Sequence, residues 1–173
     1  MIDKLRKNYN LSKVLVRLLF VLAYVLYSWQ TSLSVVTLMM DTVALGRFNV
    51  WIAVMSSALL GVILMLLVPL VCNVFLNYSR FYTVPRAEFS LLAYLFFALY
   101  FGVCGVLRLI NLLTPLLIVW GEILFPVLVS LGCMIWFYVV TSKLYFNNQT
   151  KPYYFRSLTL AYFILIVIAE VLA

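Results

Sequence analysis

The sequence predicts an all-α protein: a polytopic transmembrane helix bundle of about five spans, with its N-terminus in the cytoplasm and its C-terminus outside. Composition is the first observation behind that expectation. Of 173 residues, 67 % are apolar and 10 % charged, and the mean hydropathy is +1.16. A soluble domain is about 45–50 % apolar and about 25 % charged. At this length no water-soluble interior holds so much hydrocarbon, so the bilayer is the expected solvent for most of the surface. The second observation is that the apolar residues gather into runs of about 20 or more, the length that crosses roughly 30 Å of hydrocarbon. The third is the distribution of Lys and Arg between those runs.

Taken in order, residues 1–13 form a short basic arm on the cytoplasmic membrane surface. The opening is expected to be an uncleaved first helix rather than a cleavable signal, because its apolar run is too long and no A-x-A site follows. Residues 14–173 form the transmembrane domain, with spans expected at about 14–38, 50–76, 89–110, 116–141 and 155–172. Each must be helical, since backbone groups facing lipid are satisfied only within the segment. The connectors are Asp41–Asn49, Asn77–Glu88, a tight hairpin at Asn111–Pro115, and Ser142–Tyr154. None is long enough to fold as a domain.

With five spans, Lys4, Arg6, Lys7, Lys13, Arg17, Arg80, Arg86, Lys143, Lys151 and Arg156 fall on one side, and only Arg47 and Arg108 on the other. Ten against two places the ten in the cytoplasm as anchoring residues. Tyr78, Phe81, Tyr82, Tyr145, Tyr153 and Tyr154 flank two of the cytoplasmic connectors and read as interfacial belts. The net charge of +7 then reflects topology, and nucleic acid is not an expected partner.

Ionised groups inside spans are the costliest to place. Arg108 lies near the outer end of the third span and Glu122 about six residues into the fourth. Folding the chain back at the hairpin brings them within about one helical turn in depth. They are expected to pair, or to share a polar cluster with Asn111 and Thr114. Such a pair serves either as a substrate or proton site or as an anchor, with Arg108 snorkelling to the outer interface. Ala53, Ser57 and Gly61 recur every fourth residue in the second span, and Ala98 and Gly102, with Gly105 nearby, in the third. These small-residue faces permit close helix contact in lipid, within one chain or between copies. Below Pro69, Asn73 and Asn77 form a polar strip toward the cytoplasm that lines a cavity or bonds a neighbouring helix.

Enzyme chemistry finds little support. There is no histidine, and Asp3 and Asp41 are the only aspartates. That excludes HExxH proteases, Ser–His rhomboids, aspartyl dyads and clustered-Asp metal sites. Cys72, Cys104 and Cys133 sit singly in apolar runs and read as small buried hydrophobes. No metal and no cofactor are expected. The expected partners are the lipid bilayer and a homo-oligomer or other membrane proteins, with a small-molecule ligand left open.

The layout resembles the Yip/Yif membrane proteins. Ala87-Glu88-Phe89-Ser90-Leu91-Leu92-Ala93-Tyr94 is similar to the start of that family's third helix, and Ile135–Ser142 with Lys143-Leu144 is similar to the end of its fourth. The likeness would run over about 50–173, nearest to the prokaryotic members. It implies five helices, a cytoplasmic N-terminus, and a non-catalytic role in membrane organisation or trafficking. The chain departs from the family in its short arm and in having Asp41-Thr42-Val43-Ala44-Leu45-Gly46 where an Asp-Leu-x-Gly-Pro motif is expected. Small-GTPase binding, which a long arm would serve, is therefore not carried over. The expected role is a scaffold or accessory subunit of a membrane complex. The alternative is the membrane subunit of a small-molecule transporter or importer. The membrane would be the plasma membrane of a prokaryote or an endomembrane of a eukaryote.

Overall fold

The computed structural model describes the backbone of residues 9–40, 46–113 and 118–172, and side chains over 12–29, 50–110 and 125–163. Five helices account for nearly all of it: α1 (Tyr9–Met40), α2 (Gly46–Tyr78), α3 (Arg86–Leu113), α4 (Ile118–Tyr145) and α5 (Lys151–Leu172). Among the described residues, four of these are long and apolar enough to cross a membrane, over Ser12–Trp29, Val50–Tyr78, Arg86–Ile110 and Phe125–Tyr145. The fifth expected span, 155–172, lies outside the described side chains from residue 164 onward.

Helices α2 and α3, and α4 and α5, extend past their apolar runs, so the 77–88 and 142–154 connectors are shorter than expected. The expected 142–154 connector shrinks to residues 146–150. Helix α4 continues to Tyr145, and Pro152 falls in the first turn of α5, where a missing N–H costs nothing. The expected arm is likewise helical from Tyr9. Residues 1–8, which include Lys4, Arg6 and Lys7, lie outside the described residues.

Helix α3 is the element the others share. It packs on α1, α2 and α4, while α1 also packs on α2, and α5 packs chiefly on α4. On α2 the packing is inverted relative to a water-soluble helix. Its buried side carries Ala53, Ser57 and Gly61, and its outer side carries Trp51, Met55, Leu59, Leu66, Leu70 and Val74, each more than half exposed. Large apolar groups turned outward and small ones inward suit a helix whose solvent is hydrocarbon.

Both small-residue faces meet α1. A Cβ on Gly61 would stand 3.1 Å from the Tyr24 ring, and one on Gly102 an ordinary 3.8 Å from Ala23. One on Gly105 would stand 2.9 Å from Leu26 Cγ and 3.0 Å from its backbone carbonyl carbon. Ala53, Ser57 and Ala98 are buried on the same two helices. Above these contacts, Phe20 of α1 sits edge-on to Tyr94 and Phe101 of α3, at 5.6 and 5.9 Å between ring centres.

The link from α2 to α3 is set by one left-handed residue. Arg80, at φ 57°, turns the chain so that its N–H reaches the Asn77 carbonyl and that of Phe81 reaches the Leu76 carbonyl. This is the paired closure of a Schellman helix end. It aims Phe81 into an aromatic cluster built around Tyr154. The Tyr154 ring stacks on Phe146 at 4.1 Å, lies 5.8 Å from Phe81 and Tyr138, and touches the Phe75 ring edge-on at 6.4 Å. Tyr154 is therefore not a belt residue: it is fully buried, whereas Tyr153, Tyr78 and Tyr82 face outward. Neighbours on a helix point about 100° apart, so one of two adjacent tyrosines turns in when the other turns out.

Candidate functional site

The N-terminal part of α1, the C-terminal part of α2 and the N-terminal part of α3 meet at one end of the bundle, together with the α4–α5 link. Lys13, Arg17, Arg80, Arg86, Lys143, Lys151 and Arg156 all lie at this end. It is termed the basic end here. Arg80, Lys143 and Arg156 are exposed there, as anchoring residues would be.

Lys13, Arg17 and Arg86 do something further. They line a cleft of about 220 Å³ whose other walls include Pro69, Asn73 and Tyr94. Proline explains why polar chemistry collects at this depth. Pro69 has no N–H for the carbonyl four residues earlier, that of Met65. The Tyr94 hydroxyl of α3 donates to that carbonyl at 2.6 Å. The break in α2 is thus repaired from a neighbouring helix, and the Tyr94 ring is held as the cleft floor. The Arg17 guanidinium lies over that ring, 5.7 Å from its centre. Its Nε is buried and donates to no acceptor among the described residues. Arg86 is steered by a bond from its Nη2 to Asn77 Oδ1 at 3.0 Å. The Asn73/Asn77 strip is therefore divided, Asn73 lining the cleft and Asn77 holding an arginine. No carboxylate appears among the described residues that line the cleft.

Glu88, in the first turn of α3, accepts a bond from the Tyr145 hydroxyl of α4 at 3.0 Å. A carboxylate there suits the positive end of the helix dipole. Deeper in, Thr141 donates to the Phe137 carbonyl, so its oxygen accepts the Tyr154 proton across 2.6 Å. Tyr154 is fully buried in the first turn and a half of α5, so this bond fixes the start of that helix against α4. A second tyrosine of α5, Tyr162, bonds Ser130 of α4 in the same way.

At the opposite end, Arg108 finds a partner that spacing alone did not indicate. Its Nη1 donates to the Tyr27 carbonyl of α1 at 3.0 Å, and its Cζ sits 4.1 Å from the Tyr27 ring centre. A cation over a tyrosine face contributes about 0.5–2 kcal/mol, more as water is excluded. The expected partners Glu122, Asn111 and Thr114 lie outside the described side chains, as does Arg47. Sequence reasoning looked along the α3–α4 hairpin and missed α1. The available signal was Tyr27, one turn beyond Tyr24 on the face that meets Gly61 and Gly105.

A bundle with four helices long and apolar enough to cross a membrane, large apolar groups turned outward and polar groups bonded inward has the make-up of a polytopic helical membrane protein. Compared with known proteins, the chain matches no family model, no curated protein and no solved structure.

Proposed function

We propose that the protein is a non-catalytic scaffold or accessory subunit of a membrane complex, oriented with its basic end in the cytoplasm and crossing the bilayer five times. The observation that carries it is the use made of the interior polar side chains. Tyr94 of α3 repairs the Pro69 break in α2, Thr141 and Ser130 tie α5 to α4, and Arg108 ties α3 to α1. These groups hold helices together, which is what a bundle working through its surfaces needs. The Yip/Yif-like layout implies the same kind of work.

A transport subunit is the second reading, favoured by the cationic cleft beside a proline-broken helix. Purification in mild detergent and identification of what co-purifies separates the two. A defined oligomer or a non-ATPase membrane partner supports the scaffold; a stoichiometric ATPase pair sinks it. Orientation is checked by cysteine labelling at Thr42 and Asn148. The five-span arrangement expects labelling from opposite sides, and labelling from one side overturns it.

A further inference from the structure

We propose that the cleft lined by Lys13, Arg17 and Arg86 binds the phosphate group of an anionic phospholipid in the leaflet at the basic end. Three cationic side chains from two helices line one cavity, which favours an anionic occupant. Arg17 supplies the more specific argument. A buried guanidinium N–H without an acceptor is costly, and a phosphate oxygen is the acceptor it pairs with best. Arg86 is positioned by Asn77 through one nitrogen, which leaves the rest of its fork for a second oxygen.

The backbone contributes in the same direction. The wall formed by Arg86 and Ala87 is the first turn of α3, a helix of 28 residues, whose leading N–H groups have no helical acceptor and favour negative charge. Ser90 does not add a donor, since its hydroxyl proton is directed to the Arg86 and Ala87 carbonyls. A volume of about 220 Å³ is several times the ~30 Å³ share of one water molecule, so a phosphate group with ordered water fits. A lipid is the favoured source because of what flanks the cleft. Leu15 and Leu18 of α1 and Leu66 and Leu70 of α2 are exposed on the helices that form it, where acyl chains would lie against them. Phosphate binding here stands whether or not the bundle acts as a scaffold.

Native mass spectrometry of the full chain in detergent tests it. The chain is titrated separately with dioleoyl phosphatidic acid, dioleoyl phosphatidylcholine and inorganic phosphate. One saturable phosphatidic acid site is expected, at least tenfold tighter than phosphatidylcholine. Arg17→Gln and Arg86→Gln should each weaken it about tenfold, the scale of one charged hydrogen bond. Arg156→Gln, at the same end but outside the cleft, should leave it unchanged. Arg17→Lys keeps the charge and loses Nε, so it should also weaken binding, and it serves with Arg86→Gln where Arg17→Gln does not fold. Saturable inorganic phosphate binding that the same variants abolish, without a phosphatidic acid site, overturns the lipid source in favour of a soluble phosphate. Absence of any saturable site, or equal loss in Arg156→Gln, overturns the proposal entirely.

Discussion

Helices α1, α2 and α3 combine close approach at small residues with ring contacts spread along their length, whereas α5 is attached to α4 chiefly through a few tyrosine hydroxyls and ring faces. In the first region Gly105 lets the α1 backbone come close and Gly61 makes room for the Tyr24 side chain, and dispersion over long helical surfaces does the work. In the second, Tyr154 concentrates the attachment in one residue, buried among Phe75, Phe81, Tyr138 and Phe146 and bonded to Thr141. The first kind of contact is spread over many atoms and fails by overpacking. The second is local and fails by deletion. The difference implies that α1–α3 form the more robust unit and that α5 is the helix most readily released.

The largest effect is expected where attachment is most concentrated. Tyr154→Ala removes the centre of the cluster and should cost about 3–5 kcal/mol, read as a lower melting temperature in detergent and faster proteolysis of the α4–α5 link. Tyr154→Phe keeps the ring and should cost only about 1 kcal/mol. If the two variants melt together, the ring stack is not what holds α5.

Overpacking tests the other region. Gly105→Ala drives a methyl group into the Leu26 backbone and should destabilise by about 1–3 kcal/mol. Gly102→Ala meets only the Ala23 methyl at van der Waals distance and should be neutral or slightly stabilising. Equal melting temperatures for these two would mean that α1 and α3 are not in close contact at Gly105.

Tyr94→Phe should cost about 1–3 kcal/mol, because the Met65 carbonyl loses its donor. In a Pro69→Ala background the helix supplies its own N–H, so the same change should then cost distinctly less. A thermal-stability double-mutant cycle with no coupling between positions 69 and 94 would refute the repair. The smallest effect is a gain. Arg80→Gly should stabilise by about 0.5–1 kcal/mol by relieving the left-handed backbone at φ 57°. Arg80→Val should do the reverse, since a β-branched side chain tolerates that conformation poorly.

Much of the frame was legible in the sequence. Long apolar runs read as helices, and each of the five runs falls largely within one of α1–α5, four of which are long and apolar enough to cross a membrane among the described residues. The small-residue faces were visible as four-residue spacing at Ala53/Ser57/Gly61 and at Ala98/Gly102, with Gly105 nearby, and Lys13, Arg17 and Arg86 were visible as charges at span ends. Their destinations were not. That both faces meet α1, that Arg108 reaches Tyr27, and that Arg17 turns inward over Tyr94 are contacts between residues 37 to 81 positions apart, which no local pattern records.

Sequence by itself determined the helical secondary structure, the apolar character of the helices and the placing of basic residues toward their ends, because each is a property of short segments taken one at a time. Tertiary structure alone decided which of two adjacent tyrosines is buried, which hydroxyl replaces the N–H that Pro69 lacks, and which three of many basic residues share a cleft. Those outcomes depend on the rotation and depth of one helix against another. In a bundle whose helices are apolar all round, that rotation is set by packing and a few hydrogen bonds rather than by any amphipathic stripe.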